Sequence, residues 1–363
     1  MIGVALGGSS SMTVRKPLVE ISFAAASGGG LGLDLGLLEA VDPWQRSLVS
    51  ISSVSSLAPN VDSTKLVIVN DEQAPDVAVN DEGSIALGYA DSSIEVVMSG
   101  RIDQLHFDIR NLTGITAVNG GAALSRLRIN QSYEQQAAGD LVSDLCSQAE
   151  VDTDVIESGI DLPYYVIDDR YNAYQHIDRL ARQSGYISYF TTEGKLYFGP
   201  EQSGQTVQTF SYANDILEIQ IRQNNSSAVA VTVTGEGAAG AEGQEAWSWL
   251  IKDPAAVTSE AGDGKLRLIS NAALRSSDAC QAAADGIASR TSAQSLTGQI
   301  LTAGAPSVVV GSTIEIADAP GESMNGDFFV SGVSHRYSKQ YGFTSLINFR
   351  QAGDSGGLLG GLL

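Results

Sequence analysis

The sequence predicts a mainly β protein of the α+β class, with two β-rich blocks on either side of a compact α+β insert. Short apolar runs with alternating polarity recur along the chain, and turn residues separate them. The 39 glycines among 363 residues fit a fold with many tight turns. Two amphipathic helical patterns followed by a hairpin pattern occupy the middle of the chain. This length is enough for two to four packed units, each with its own core.

The first β-rich block follows a Gly-rich N-terminal region. The region contains one alternating strand, Val19–Phe23, and a flexible loop at Ser27–Gly32. Turns are predicted at Asn70–Glu72, Asn80–Gly83 and Ser99–Gly100. The predicted strands of the block are Leu48–Val54, Lys65–Val69, Ile85–Tyr89, Ile94–Met98 and Ile102–Ile109. Strands at this spacing favour a sandwich or a barrel.

The insert begins with a helix over Ala138–Glu150 and a short strand over Pro163–Ile167. A second amphipathic helix spans Asn172–Ser184, and Gly185 follows it where a left-handed residue commonly ends a helix. A hairpin completes the insert. Its parts are Tyr186–Phe190, the turn Thr192–Lys195, and Leu196–Phe198.

The second β-rich block is expected to resume at Phe210. One helix, Asp278–Arg290, interrupts it, and Gly235–Glu245 is predicted to be a mobile excursion. Its predicted strands are Ile216–Ile221, Ala228–Thr234, Trp247–Ile251, Leu266–Ile269, Leu296–Leu301, Val308–Ile316, Gly326–Tyr337 and Gly342–Arg350.

The charge balance is strongly acidic, with a formal net charge of -21. Because nucleic-acid binding depends on Lys and Arg at phosphates, sequence-specific nucleic-acid binding is not expected. The acidity fits a lumen that repels a passing polymer, and it fits simple solubility at least as well. The sequence shows no signal peptide and no membrane span, so synthesis in the cytoplasm is expected, which is the bacterial cytoplasm if the family resemblance described below holds. Cys146 and Cys280 both lie on apolar helix faces, which favours buried free thiols over a disulfide.

Catalytic and metal-binding patterns are weak. Gly353–Gly357 spells the nucleophile signature of a serine protease, but it lies in the C-terminal tail, and His106, His176 and His335 lack the context of a triad. His335 is interpreted as a strand residue that is hydrogen-bonded at a barrel edge. We therefore predict no catalytic residue, no metal site and no cofactor.

A carboxylate cluster could be formed by Asp161, Asp168, Asp169 and Asp178, as a cation site or an acid–base pair. Asp168 and Asp169 immediately precede the second helix, where a carboxylate interacts favourably with the helix dipole. The dipole interpretation is favoured over a site.

The order of these segments resembles the late control D family of phage baseplate hub proteins. This family is related to the N-terminal hub half of the valine-glycine-repeat proteins of type VI secretion. The matching segments are Val96–Leu105, Ala122–Tyr133, Asp140–Leu145, Tyr174–Tyr186, Glu193–Gly199 and Gly304–Arg350, the last including Asn325–Gly326 and Val333–His335.

The resemblance implies two tail-tube-like antiparallel β-barrel domains that assemble as a trimeric pseudo-hexameric ring. Such a hub joins the hexameric tail tube, or a tube-initiator protein, to a trimeric central spike, and tape measure and baseplate wedge proteins are further candidate partners. It would be part of a virion tail baseplate or injection-system particle. The expected divisions are 1–128 (first barrel), 129–206 (insert), 207–250 (start of the second barrel), 251–294 (helical excursion), 295–351 (remainder of the second barrel) and 352–363 (tail).

The Gly- and Leu-rich tail is interpreted as a disordered end, or as a segment that docks on a partner. The partner-binding residues would then be Leu358, Leu359, Leu362 and Leu363. Two alternatives to a structural hub stay open at this point. They are a tail-tip cell-wall hydrolase and a carbohydrate-binding, adhesin-like β protein.

Overall fold

A computed structural model describes residues 15–24, 42–202, 206–223, 229–235, 258–262 and 265–352. Twelve strands form one large sheet in which every pairing but one is antiparallel. The predicted mainly β class is therefore confirmed. Predicted features at Ser27–Gly32, Trp247–Ile251 and Gly353–Gly357 lie outside the described residues, and so does Gly235–Glu245 except for its first residue.

Six strands and a short helix form what we call the first β unit. Alternating side chains of these strands enclose an apolar core that includes Leu66, Ile85 and Ile102. The elements are β1 (Pro17–Ala24), α1 (Pro43–Ser47), β2 (Leu48–Ser56), β3 (Ser63–Val69), β4 (Glu82–Tyr89), β5 (Ile94–Asp108) and β6 (Leu112–Val118).

The insert follows the first β unit. Its two longer helices pack against two small sheets around a core that contains Leu145, Leu180 and Phe198. The elements are α2 (Gly121–Arg126), β7 (Gln131–Ala137), α3 (Ala138–Gln148), β8 (Thr153–Ile156), β9 (Asp161–Ile167), α4 (Ala173–Gln183), β10 (Ile187–Phe190) and β11 (Leu196–Gly199). The predicted helices and hairpin of the insert are confirmed, and Gly185 has the expected left-handed conformation with φ +71°.

The rest of the chain forms a second β unit and a small layer beside the insert. The elements are β12 (Thr206–Ser211), β13 (Ile216–Gln223), β14 (Val229–Thr234), β15 (Thr258–Ala261), β16 (Lys265–Ser270), α5 (Ser277–Ala293), β17 (Leu296–Ala303), β18 (Thr313–Ala317), β19 (Gly326–Ser338) and β20 (Gly342–Gln351). Strands β12, β13 and β17–β20 make the second β unit, whose core includes Ile300, Ile314 and Phe349.

Strand β14 differs from its predicted place in the second β-rich block. It pairs with β15 and β16 in a separate three-stranded sheet. Val231 and Val233 point from this sheet into the insert core, where they meet Ala283 and Ala284 of α5. The alternating pattern of β14 is compatible with a strand in either sheet. The apolar face of α5, which is distant in sequence, provides the core that the strand joins.

The predicted turn at Ser99–Gly100 is wrong, because β5 runs through it as one long strand. The glycine allows β5 and β6 to approach closely, since a Cβ on Gly100 would lie 2.2 Å from the Val118 carbonyl oxygen. The predicted strand at Val308–Ile316 is shortened at its start. Val308 and Val310 enter the second core from a loop, and the strand begins only at Thr313, after Gly311 at φ +88°.

Candidate assembly interface

The two β units have the same strand order. In the first unit the order across the sheet is β1-β4-β5-β6-β3-β2, and in the second it is β12-β18-β19-β20-β17-β13. Numbered by position within their own units, the strands follow one and the same path. The one difference is that β1 pairs with β4 antiparallel whereas β12 pairs with β18 parallel. The large sheet is thus built from a duplicated six-strand unit.

The central hairpins of the two units also match in length. Hairpin β5–β6 closes at the pair Asp108–Leu112, and hairpin β19–β20 closes at the pair Ser338–Gly342. Each leaves a turn of three residues outside the ladder. This agreement places Asp108 and Ser338 at equivalent positions and fixes the alignment of the two hairpins.

One strand joins the two units. Strand β2, at the edge of the first unit, pairs with the later part of β19, from Gly332 opposite Ser56 to Ser338 opposite Ser50. The backbone N–H of Lys339 extends this ladder by donating to the Val49 carbonyl at 3.3 Å. The earlier part of β19 pairs with β18. One side of β19 is thus shared between a strand of its own unit and a strand of the other unit, and we call the β2–β19 pairing the intrachain junction.

The equivalent side of β5 is only half covered. Its earlier part pairs with β4, from Ile94 to Arg101. Ile102 bonds the loop before β4, through Asn80 and Asp81. Within the described residues, Asp103–Asp108 has a strand neighbour only on the side of β6. We call this stretch the open edge of β5.

Strand β13 is a second open edge. Across the described ranges it pairs with β17 and with no other strand. Leu217 is 66% exposed on this strand, and Phe107 is 67% exposed on the open edge of β5. An unpaired edge that carries large exposed apolar side chains is a template for pairing with another chain. Strands β1 and β12 also have a described neighbour on one side only, but β13 and the open edge of β5 are the counterparts of the two strands of the intrachain junction, and they are therefore the candidate interface.

A buried carboxyl group lies where the β2–β3 loop meets the insert. Asp62 accepts hydrogen bonds from the Ser56 backbone N–H and from the Asn119 side-chain amide, each at 2.9 Å. Asn119 in turn accepts from the Gly121 backbone N–H, at 3.0 Å. Burial raises the pKa of Asp62 to about 7, against the opposing effect of its two donors. This network fixes the start of the insert on the first β unit.

His335 lies beside the same small cavity and is buried. Its Nδ1 is 2.8 Å from the Ser345 hydroxyl, and burial lowers the pKa of its imidazole to about 4. The predicted position at a barrel edge is wrong, because β19 has β2 on one side and β20 on the other. His335 is a neutral core residue at the intrachain junction.

Arginines with partners on the chain itself lie where the insert, α5 and the second β unit meet. They line a cleft of about 450 Å³ between α4, α5 and the sheet. Arg290 donates to the Tyr186 carbonyl at 2.9 Å, Arg182 pairs with Asp178 at 2.7 Å, and Arg350 pairs with Glu201. Each of these guanidinium groups has a partner on the chain itself, so the cleft is part of the internal packing.

The acidic residues singled out from the sequence do not converge on one site. Asp168 pairs with the guanidinium group of Arg170, whose hydrogen bonds lower the pKa of Asp168 to about 2. The side chain that caps α4 is that of Asn172, which accepts from the Gln175 N–H at 2.9 Å. Over the described part of the chain, no group of three or more His, Cys, Asp or Glu residues is placed to hold a metal ion.

Both cysteines are buried and neither forms a disulfide in the described structure, as predicted. His176 is likewise buried, with Nε2 3.1 Å from the Asp168 carbonyl oxygen, and His106 is exposed on β5. The predicted partner-binding residues Leu358, Leu359, Leu362 and Leu363 lie outside the described residues. Among the helices that the structure describes, none has the length and apolar character needed to cross a membrane.

Solved structures share this fold. The chain is similar to the 43 kDa tail protein of prophage MuSo2 from Shewanella oneidensis, with a TM-score of 0.64 and 11% identity over 93% of this chain and 98% of that one. It is similar to a tail protein from Neisseria meningitidis, with a TM-score of 0.63 and 14% identity over 93% and 97%.

A third similar structure comes from a secretion system. It is an Escherichia coli component of type VI secretion, described as similar to the bacteriophage T4 tail proteins gp27 and gp5. The TM-score is 0.58 at 12% identity, over 92% of this chain and 77% of that one. The chain therefore has the fold of phage tail proteins and their secretion-system relatives.

A family model described as the Alg8 N-terminal domain matches residues 80–339, from the loop before β4 to the turn after β19. This is more than half of the chain, so the chain belongs to that family. No curated protein matches the sequence.

Proposed function

We propose that this chain is a structural hub of a contractile tail or of a phage-like injection particle. The observation that carries the proposal is the duplicated six-strand unit, together with the open edge of β5 on one copy of the unit and the open edge of β13 on the other. Two equivalent units in one chain let a threefold assembly present six similar surfaces. A hexameric tube could then rest on one side of the ring and a trimeric spike on the other.

Two further observations support this proposal. The fold is that of tail proteins and of a type VI secretion component. The resemblance to late control D hubs extends over segments of the first unit, the insert and the second unit. The proposed partners are two further copies of the chain, a tail tube or tube-initiator protein, and a central spike.

The proposal assigns the chain a place in an assembled particle and no catalytic role. A net charge of -21 fits a lumen wall that repels phosphates or acidic cargo. Such a charge does not favour nucleic-acid binding, and we propose no sequence-specific nucleic-acid partner. The Leu-rich end, with Leu358, Leu359, Leu362 and Leu363, is proposed as a partner contact at the mouth of the ring.

Electron microscopy of the purified protein, alone and mixed with candidate spike and tube proteins, tests the proposal. We expect rings with threefold symmetry, a six-lobed outline and a central opening, capped on one face when the spike is present. Particles that stay monomeric or form twofold dimers under all of these conditions would contradict a hub.

A further inference from the structure

We infer that β13 of one copy pairs with the open edge of β5 of the next copy, in the same geometry as the intrachain junction. This inference rests on the proposed ring and specifies how its copies join. Strand β2 is the last strand at one end of the first unit, and β13 is the last strand at the corresponding end of the second. The covered part of β19 and the open edge of β5 are likewise equivalent. The chain thus makes this contact once internally and presents both halves of it a second time.

The duplicated ladders determine the register. Ser52 of β2 connects through Lys65 to Thr116 of β6, and Glu218 of β13 connects through Leu301 to Leu346 of β20. The matched turns are followed by Leu112 in β6 and by Gly342 in β20. Thr116 and Leu346 are equivalent, because each lies four residues after that first residue.

Ser52 and Glu218 are therefore equivalent, and so are Val54 and Gln220. On the other strand, Arg336 is equivalent to His106 and Ser334 to Gln104, counted from the matched turn. Inside the chain, Arg336 lies opposite Ser52 and Ser334 opposite Val54. Between copies, His106 is then opposite Glu218 and Gln104 is opposite Gln220.

The side chains fit this register on both faces of the sheet. On the core face, Leu105 meets Ile219, and each is already partly packed against the core of its own unit. Two residues further along each strand, on the same face, Phe107 meets the bulge at Leu217. This contact would cover the two most exposed apolar side chains of the open edges. On the outer face, the imidazole of His106 lies opposite the carboxylate of Glu218. The apolar side of one edge thus continues the apolar side of the other.

A second copy of the chain is the occupant that this pattern specifies. The surface offered by β5 and the strand offered by β13 are different, so the contact is head-to-tail. Each copy donates one strand and accepts one strand, and the contact repeats until the ring closes. Around the ring, the β2–β19 pairing within each copy would alternate with the equivalent β13–β5 pairing between copies.

Disulfide trapping tests the register. Gln104→Cys combined with Gln220→Cys places two exposed thiols at a pair equivalent to Ser334–Val54. That pair is a non-hydrogen-bonded one, because the neighbouring ladder bonds are made by Leu57 with Ser331 and by Lys339 with Val49. Cα atoms of such a pair are about 4.5 Å apart, within disulfide range. Cys146 and Cys280 are buried, so native thiols add little background.

Two double variants are matched controls. Val54→Cys with Ser334→Cys should form an intrachain disulfide with no increase in mass, which confirms that this pair geometry supports the bond. Gln104→Cys with Glu218→Cys is shifted by two residues, at a diagonal separation of about 7–8 Å, and should crosslink at least tenfold more slowly.

After mild oxidation, we expect the Gln104→Cys, Gln220→Cys protein to give covalent dimers and trimers and no larger species. A ladder that continues beyond the trimer would overturn a closed ring of three. Equal or faster crosslinking of the shifted pair would overturn the register. If light scattering shows a trimer that the Gln104–Gln220 pair does not trap, the strand pairing fails and the hub survives. If no oligomer forms, with or without the spike, both fail.

Discussion

Protonation of His335 is expected to couple the stability of the intrachain junction to pH. The imidazole is 2% exposed, and its network defines a neutral ring. Ser345 Oγ accepts from the Ala305 N–H at 2.9 Å, so its own hydrogen is free to be donated to Nδ1, at 2.8 Å. The Val308 backbone carbonyl accepts a hydrogen bond from the imidazole. If the ring took up a second proton, Nδ1 would become a donor, and the Ser345 hydroxyl would have to accept from it instead of donating to it.

The magnitude follows from the change in pKa. Burial lowers the pKa of His335 from 6.5 to about 4 in the folded protein. A group with a lowered folded pKa contributes stability that is present above the unfolded pKa and lost as the pH falls through the folded pKa. At 1.36 kcal/mol per unit, the complete loss below pH 4 is about 3 kcal/mol, and about 2 kcal/mol is lost between pH 8 and pH 5.

Asp62 faces the same cavity and has the opposite effect. Its pKa is raised from 3.8 to about 7 by burial, so its contribution is present below 3.8 and lost as the pH rises through 7. The pH dependence of the unmodified protein therefore combines two opposing contributions. A comparison with His335→Gln isolates the histidine, because the variant retains Asp62 and lacks the imidazole.

Urea unfolding followed by tryptophan fluorescence at pH 8 and pH 5, at one protein concentration, measures the effect. We expect the stability advantage of the unmodified protein over His335→Gln to shrink by about 2 kcal/mol between these pH values. The control is Ser289→Ala, since Ser289 is exposed and lies outside the proposed interface. An advantage that stays constant to within about 0.5 kcal/mol would refute the assignment of His335 as a buried neutral base.

Three further predictions concern the helices and the thiols. Gly286→Ala should destabilise the protein by about 1–3 kcal/mol in urea unfolding, because the new Cβ would lie 2.4 Å from the Gly185 Cα, whereas exposed Ser289→Ala should change stability by less than about 0.5 kcal/mol. Asn172→Ala should cost about 1 kcal/mol through loss of the α4 cap, and Asn172→Asp should retain most of it; equal losses would contradict the cap. Burial raises the pKa of the Cys146 thiol to about 12, so a thiol reagent at pH 8 should label neither cysteine in the native protein and both after denaturation; no labelling in either state would indicate a disulfide.

Local patterns predicted much of the fold because local forces set those elements. Helix α4 has an apolar stripe, an Asn cap and a glycine after its end, and it forms where these features indicate. The long hairpin β19–β20 alternates strongly and is confirmed almost to the residue. In both cases the residues that determine the element lie within it or directly at its ends.

The features that escaped prediction depend on distant residues. Strand β6 alternates Thr113, Ile115 and Ala117 toward the core, but its many small and polar residues give a weak signal. The duplication was expected only from the resemblance to late control D hubs and not from the residue patterns, because it shows only in strand order and equal hairpin lengths. The open edges follow from the duplication, since an edge is defined by the absence of a neighbour. The exposed Phe107 and Leu217 were the signals that could have indicated them.

The mass of the purified protein in solution, by light scattering after size exclusion, tests the central claim most directly. A hub whose copies join through β5 and β13 predicts a trimer near three times 37.9 kDa. The same measurement on Phe107→Glu should give a folded monomer, because a carboxylate would be buried against Leu217 in each interface. A stable dimer, or a trimer that Phe107→Glu leaves intact, would contradict the account.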